Sequence, residues 1–155
     1  MANTAETLEA EIRIKFDPDE YFHTFAGKAH QLPSLCSDKM HGIDVHEGDW
    51  KTTGSVKLLT YAIDGKVETV KERIGVDEEN RTITYEVLEG HILEQYKTYK
   101  AKFQVISKGD SNFAKWGIEY ENFSENERPP FHYLQWLVHA AKDVDASLLK
   151  AHENK

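Results

Sequence analysis

The sequence predicts an α+β protein in which a curved, seven-stranded antiparallel sheet wraps around one long C-terminal helix, with two short helices completing the closure. Three observations carry that expectation. Apolar and polar residues alternate repeatedly between polar turns from about residue 39 to 123, with a further alternating run near the N-terminus. A helix-start signal follows that first run at Asp17-Pro18. The C-terminal segment then carries one apolar stripe at three-to-four spacing.

In residues 8–16, Leu8, Ala10, Ile12, Ile14 and Phe16 alternate with Glu9, Glu11, Arg13 and Lys15, the pattern of a half-buried strand. Asp17 is a good N-cap, Pro18 suits the first helical position and Glu20 completes a capping-box-like pattern. Gly27 ends that helix or separates it from a second short one, which Pro33 limits. The segments MHGIDV, SVKLLTYAID, VETVKERIGV, RTITYEVLEG, LEQYKTYKAKFQVIS and FAKWGIEYENF read as further strands. Asp64-Gly65 is a hairpin dipeptide, and DEEN at 77–80 and KGDSN at 108–112 are polar turns. SENERPP is a loop, after which Pro129 or Pro130 starts a helix reaching about residue 151. Its stripe is Leu134, Leu137, Val138, Ala141, Val144 and Leu148.

Residues 1–155 are expected to form a single domain, long enough to bury a core. A formal charge of −8, with no run of Lys or Arg, argues against a nucleic-acid or anionic-membrane partner. No signal-peptide pattern and no membrane-length apolar stretch is evident. The single cysteine, Cys36, excludes an internal disulfide and suits a reducing compartment, so a cytoplasmic location is expected.

Seven strands at about 4.8 Å spacing make a sheet roughly 30 Å wide, whereas one helix is only about 10–12 Å across. The sheet must curl, and either bulky side chains or a ligand must fill the hollow. Alternation groups Tyr61 with Lys57, Leu59 and Ile63, and Tyr85 with Ile83, Val87 and Glu89. It likewise groups Tyr99 with Ala101, Phe103 and Val105, and Tyr120 with Trp116 and Ile118. A dry core prefers aliphatic residues, because a buried hydroxyl needs a partner. These tyrosines either tip their hydroxyls to the sheet rim or line an amphipathic pocket. The expected ligand-binding residues are therefore His41, Leu59, Tyr61, Ile83, Tyr85, Val87, Tyr99, Phe103, Trp116, Ile118 and Tyr120. Leu134, Leu137, Val138 and Ala141 would complete the pocket from the helix. His41 joins them through its strand neighbours Ile43 and Val45.

Catalytic chemistry narrows to Lys57, Tyr85 and Glu89. An inward Lys or Glu is desolvated unless it pairs or meets a polar ligand, and a carboxylate with a raised pKa can shuttle protons. The opposing reading makes Lys57 and Glu89 a solvated ion pair at the pocket mouth. No metal is expected: His41 and His46 point to opposite faces of a strand, His23 and His30 are two helical turns apart, and no H-E-x-x-H occurs. His132, Trp136 and His139 share a helix edge off the apolar stripe, which reads as exposed or partner-facing, or as a frame for a cavity entrance. Asp143 and Asp145 cannot face one another.

The stretch HEGDWKTTGS (46–55) invites a phosphate-cradle reading, which fails. Gly48 and Gly54 do not have the spacing of a nucleotide loop, no lysine precedes Ser55, and a strand follows where a helix should.

HEGDWKTTGSVKLLTYAIDGK, DEENRTITYEVLEGHILEQYKTYK and KDVDASLLK resemble the plant major latex proteins, a branch of the birch-pollen-allergen (pathogenesis-related class 10) superfamily. The likeness covers nearly the whole chain in matching order. It implies the helix-grip arrangement, with two short helices in a V and a large internal hydrophobic cavity. It also implies that 47–55 is the family's glycine-rich loop, here with Trp50 and Lys51–Thr53 in place of much of the glycine. Two segments depart from the usual pattern, KLLTYAIDG in the third strand and YLQWLVHAAKDVDA in the last helix. The resemblance implies binding of a small hydrophobic or amphipathic metabolite without a cofactor, in a carrier, sensor or defence role. The alternative it leaves open is a cofactor-free cyclase or isomerase of specialised metabolism acting on an iridoid or alkaloid intermediate. The expected assembly is a monomer or weak homodimer.

Overall fold

The computed structural model describes residues 5–123 and 128–153, so part of the expected 124–130 loop lies outside the described residues. Its strands are β1 (Glu6–Ile14), β2 (Met40–Glu47), β3 (Val56–Ile63), β4 (Lys66–Asp77), β5 (Thr82–Gly90), β6 (Tyr96–Lys108) and β7 (Ser111–Asn122). They form one antiparallel sheet in the order β1-β7-β6-β5-β4-β3-β2. The helices are α1 (Pro18–Ala26), α2 (Leu32–Leu35), α3 (Ile92–Gln95) and α4 (Phe131–Glu153), with a single 3-10 turn at Ala29–Gln31. Because β1 and β2 occupy opposite sheet edges, the α1–α2 segment must cross the open side between them.

Local chemistry explains these boundaries. The Asp17 carboxylate accepts the Glu20 amide at 3.0 Å, Pro18 opens α1, and the Gly27 amide donates to the His23 carbonyl at its end. Asp64 and Gly65 both take positive φ, 50° and 78°, as the type I′ turn between β3 and β4 requires. One expectation fails here. Ile92–Gln95, read partly as strand, forms the single helical turn of α3 between β5 and β6.

Two irregularities re-aim side chains. On β2 the register skips from Met40↔Tyr61 to Gly42↔Thr60, leaving His41 as an extra residue. Between β4 and β5 it passes from Lys71↔Glu89 to Glu72↔Val87, leaving Leu88 extra. Each is a bulge, and each reverses the alternation beyond it.

α4 is fastened to the rest by polar ties at its C-terminal half. The buried Asp145 carboxylate accepts the Lys15 amide (3.0 and 3.1 Å) and the Phe16 amide (2.9 Å). Tyr21 donates its hydroxyl to the Ala141 carbonyl at 2.8 Å, Ser147 donates to the Leu35 carbonyl at 2.7 Å, and Lys39 pairs with Asp143. Asp143 and Asp145 thus serve separate partners. Beneath these ties lies an aromatic cluster in which Phe25 stacks on Phe103 (4.3 Å between centroids) and Phe103 on Trp116 (4.8 Å). These rings fill one part of the hollow. No helix among the described residues is long and apolar enough to cross a membrane.

Candidate functional site

The remaining hollow is a cavity of about 90 Å³ between the sheet and α4, room for several waters at about 10–15 Å³ each. Its walls come from nearly every element. β3 supplies Lys57, Leu59 and Tyr61, β4 supplies Val70 and Glu72, and β5 supplies Tyr85 and Val87. Tyr99 and Ala101 of β6, Trp116 of β7 and Met40 and Ile43 of β2 continue the wall. Phe25, Ala29, Leu32 and Ile92 close it from the short helices and the 3-10 turn, and Tyr133, Trp136, Leu137 and Ala140 close it from α4.

Lys57, Leu59, Tyr61, Tyr85, Val87, Tyr99, Trp116 and Leu137 are therefore brought together as the alternation and the apolar stripe predict. His41 and Glu89 are not. Both are exposed, because the bulges at His41 and Leu88 turn them outward. Met40 and Ile43 face the cavity in place of His41, and Glu89 pairs on the outer face with Lys71 at 3.0 Å. Ile83, Phe103 and Ile118 are on the expected face but lie away from the lining, sealed at 1%, 0% and 0% exposure within the core. Tyr120 is also outside the lining, donating its hydroxyl to Glu6 at 2.9 Å. On α4 the phase differs from the predicted stripe. Leu134 and Val138 are half-buried flanks and Ala141 is packed under Tyr21, while Tyr133, Trp136 and Ala140 look into the cavity. Of the edge expected to be exposed, partner-facing or a frame for the cavity entrance, only His139 is exposed; His132 and Trp136 are half-buried, and Trp136 lines the cavity and donates its indole N–H to the Ala62 carbonyl at 2.7 Å.

Glu72 is the residue the sequence reading missed. It sits on β4 directly across from Lys57, inside the alternating set Val70, Glu72, Ile74. Burial pushes its carboxyl from 4.5 up to about 7, a rise that the Lys57 charge partly offsets. Among the described residues its carboxylate accepts no hydrogen bond and lies within 4.0 Å of no cation. Lys57, only 4% exposed, instead donates to the Trp50 carbonyl at 3.3 Å and lies 5.1 Å from the centre of the Trp50 ring. Burial holds its ammonium below the usual lysine range, against the pull of Glu72 and Asp49.

Other polar groups share the space. Burial, and next the Glu72 charge, raises the Tyr85 hydroxyl, and burial raises Tyr99. The Trp116 indole N–H is buried and finds no partner among the described residues. Elsewhere in the wall the polar groups are satisfied: Tyr61 and Tyr133 both donate to Glu68 Oε1 at 2.8 Å, and Gln95 donates to the Tyr133 hydroxyl at 2.9 Å.

The glycine-containing loop adds a cover, not an anion cradle. The Asp49 carboxylate accepts the Lys51 and Thr52 amides at 2.8 and 2.7 Å, using the N–H groups an anion would need. These bonds hold the Asp49 carboxyl below its usual range. Gly48, at φ 84°, is required because a Cβ there would stand 2.3 Å from Ser55 Oγ. No group of three or more His, Cys, Asp or Glu among the described residues could hold a metal.

Comparison with known proteins places this architecture. MLP-like protein 43 of Arabidopsis thaliana is 39% identical over 145 residues, covering 92% of both chains. MLP-like protein 34 of the same plant is 38% identical over 94% of this chain, and this chain spans only 47% of its length. The crystal structure of ginseng major latex-like protein 151 from Panax ginseng superposes with a TM-score of 0.89 at 33% identity, covering 92% of this chain and 97% of that one. Residues 3–151 match the model of the pathogenesis-related protein Bet v 1 family, and the chain belongs to that family.

Proposed function

We propose that the protein binds a small hydrophobic or amphipathic molecule in the cavity between its sheet and α4, as a cytosolic carrier, sensor or defence component. One observation supports this most. The apolar wall carries the half-buried Glu72 and Tyr85 and the buried Tyr99, which have no hydrogen bond among the described residues, and the Trp116 indole N–H, which is fully buried and unpartnered. A buried polar group without a partner is costly, and a ligand that supplies partners removes that cost.

A second reading has its own support. A carboxyl that titrates near 7 is matched to proton transfer at neutral pH. With Glu72 as acid–base, Tyr85 orienting and Lys57 tuning Glu72, the cavity would serve a cofactor-free cyclase or isomerase of an iridoid or alkaloid intermediate. Glu72 takes the role first expected of Glu89.

Native mass spectrometry against a panel of plant metabolites, with parallel chromatography, separates the readings. Retention of an unaltered compound supports binding. A product change that requires the folded protein and is lost in Glu72→Gln supports catalysis. An Ala140→Trp variant that fills the cavity should abolish either result, and retention unaffected by it would place the ligand elsewhere.

A further inference from the structure

The polar groups of the cavity are arranged by strand. Glu72 stands on β4, Tyr85 on β5, Tyr99 on β6 and Trp116 on β7, four neighbours in sheet order. From β4 to β7 is three strand spacings, about 14 Å at the backbone, a span that side chains entering from both ends reduce. One end offers an acceptor, the Glu72 carboxylate, which has no hydrogen bond among the described residues. The other holds a donor, the Trp116 indole N–H, itself fully buried and unpartnered among the described residues. The Tyr85 and Trp116 rings, 5.9 Å apart and tilted by 33°, give an aromatic surface between.

We propose that the cavity selects a flat, mainly apolar ligand with a hydroxyl or amine donor at one end and a hydrogen-bond acceptor at the other, the donor held by Glu72 and the acceptor by Trp116 Nε1. This rests on the cavity being the binding site and specifies what it reads. Lys57 does not neutralise the carboxylate by direct contact, because its ammonium is turned to Trp50. A ligand donor is left as the partner for Glu72. A ligand carboxylate placed at that end would meet like charge.

The experiment uses four probes of one shape: naphthalene, 2-methoxynaphthalene, 2-naphthol and 6-methoxy-2-naphthol, titrated calorimetrically into the intact chain. The doubly substituted probe should bind tightest, with the hydroxyl alone improving affinity about tenfold over naphthalene at pH 8. Glu72→Gln should remove most of the hydroxyl gain and leave the methoxy gain, and Trp116→Phe should do the reverse. The hydroxyl gain should also shrink on lowering the pH to 6, since an ionised carboxylate is the stronger acceptor. The charged or titratable groups lining the cavity around Glu72 are Lys57 of β3, Tyr61 of β3, Tyr85 of β5, Tyr99 of β6 and Tyr133 of α4. None of the tyrosines ionises in that range, their hydroxyls all being raised.

Equal binding of all four probes, unchanged by pH and by both substitutions, would overturn the proposal while leaving the cavity as a binding site. No binding of any probe would overturn both. Should Glu72→Gln fail to fold, the pH dependence and the Trp116→Phe series still decide.

Discussion

The buried Asp145 and the half-buried Glu72 are two carboxylates treated in opposite ways. Asp145, in the C-terminal half of α4, accepts hydrogen bonds from two backbone amides at the β1–α1 junction. Glu72, in the cavity, accepts none from the described residues and has only the field of Lys57 across the strand pair. The chain thus uses a buried acid to fasten the long helix and leaves a half-buried one available. The difference teaches how to tell them apart: satisfied hydrogen bonds mark a structural charge, and an unsatisfied carboxyl against open space marks a chemical one.

Substitutions should expose that contrast directly. The largest effect is expected from Asp145→Ala, which strands the Lys15 and Phe16 amides and loosens the C-terminal half of α4; denaturant unfolding should show a loss of about 3–5 kcal/mol. An unchanged midpoint would mean that the helix is held by packing alone.

Glu72→Gln should act in the other direction. Glu72 titrates at about 7 when folded against 4.5 when unfolded. The unfolded chain therefore binds fewer protons between those values, and stability contributed by the protonated form is lost as pH rises through that window. The variant should be more stable than the parent at pH 8 by up to about 3 kcal/mol, and the advantage should vanish below pH 4.5. A pH-independent difference would place the Glu72 carboxyl in water.

Lys57→Met removes the one charge that lowers the Glu72 pKa. Carboxyl NMR should then find Glu72 titrating above about 7, and a downward shift would contradict the cross-strand pairing. The smallest effect belongs to the exposed Asp49→Ala, which frees the Lys51 and Thr52 amides. Hydrogen exchange should quicken at those two positions with little change in global stability.

The fold was legible because its signals are local. Alternation, the Asp17-Pro18 cap and Asp64-Gly65 are each decided within a few residues. The cavity was legible only where strands stay regular: Lys57, Leu59 and Tyr61 follow from parity on β3, as do Tyr85 and Val87 on β5. His41 and Glu89 were misplaced because a bulge is an agreement between two strands, and one strand's pattern cannot announce it. Glu72 was within reach, flanked at two-residue spacing by Val70 and Ile74, but a charged residue in a charged strand looks like solvent-facing decoration until its partner strand is known. The phase of α4 was hidden for another reason. The face turned to the cavity carries Tyr133, Trp136 and Ala140, less uniformly apolar than the flank with Leu134 and Val138, so the hydrophobic stripe points a little to one side.

The irregular register of β2 reaches beyond the placement of His41. β2 is an outer strand of the sheet, and its pairing with β3 skips twice, between Met40 and Gly42 and between Val45 and Glu47. A neighbouring polypeptide seeking to extend the sheet there would meet a twisted, interrupted row of backbone donors and acceptors in place of an even one. The distortion that spares the interior an imidazole therefore also guards this border against templated polymerisation.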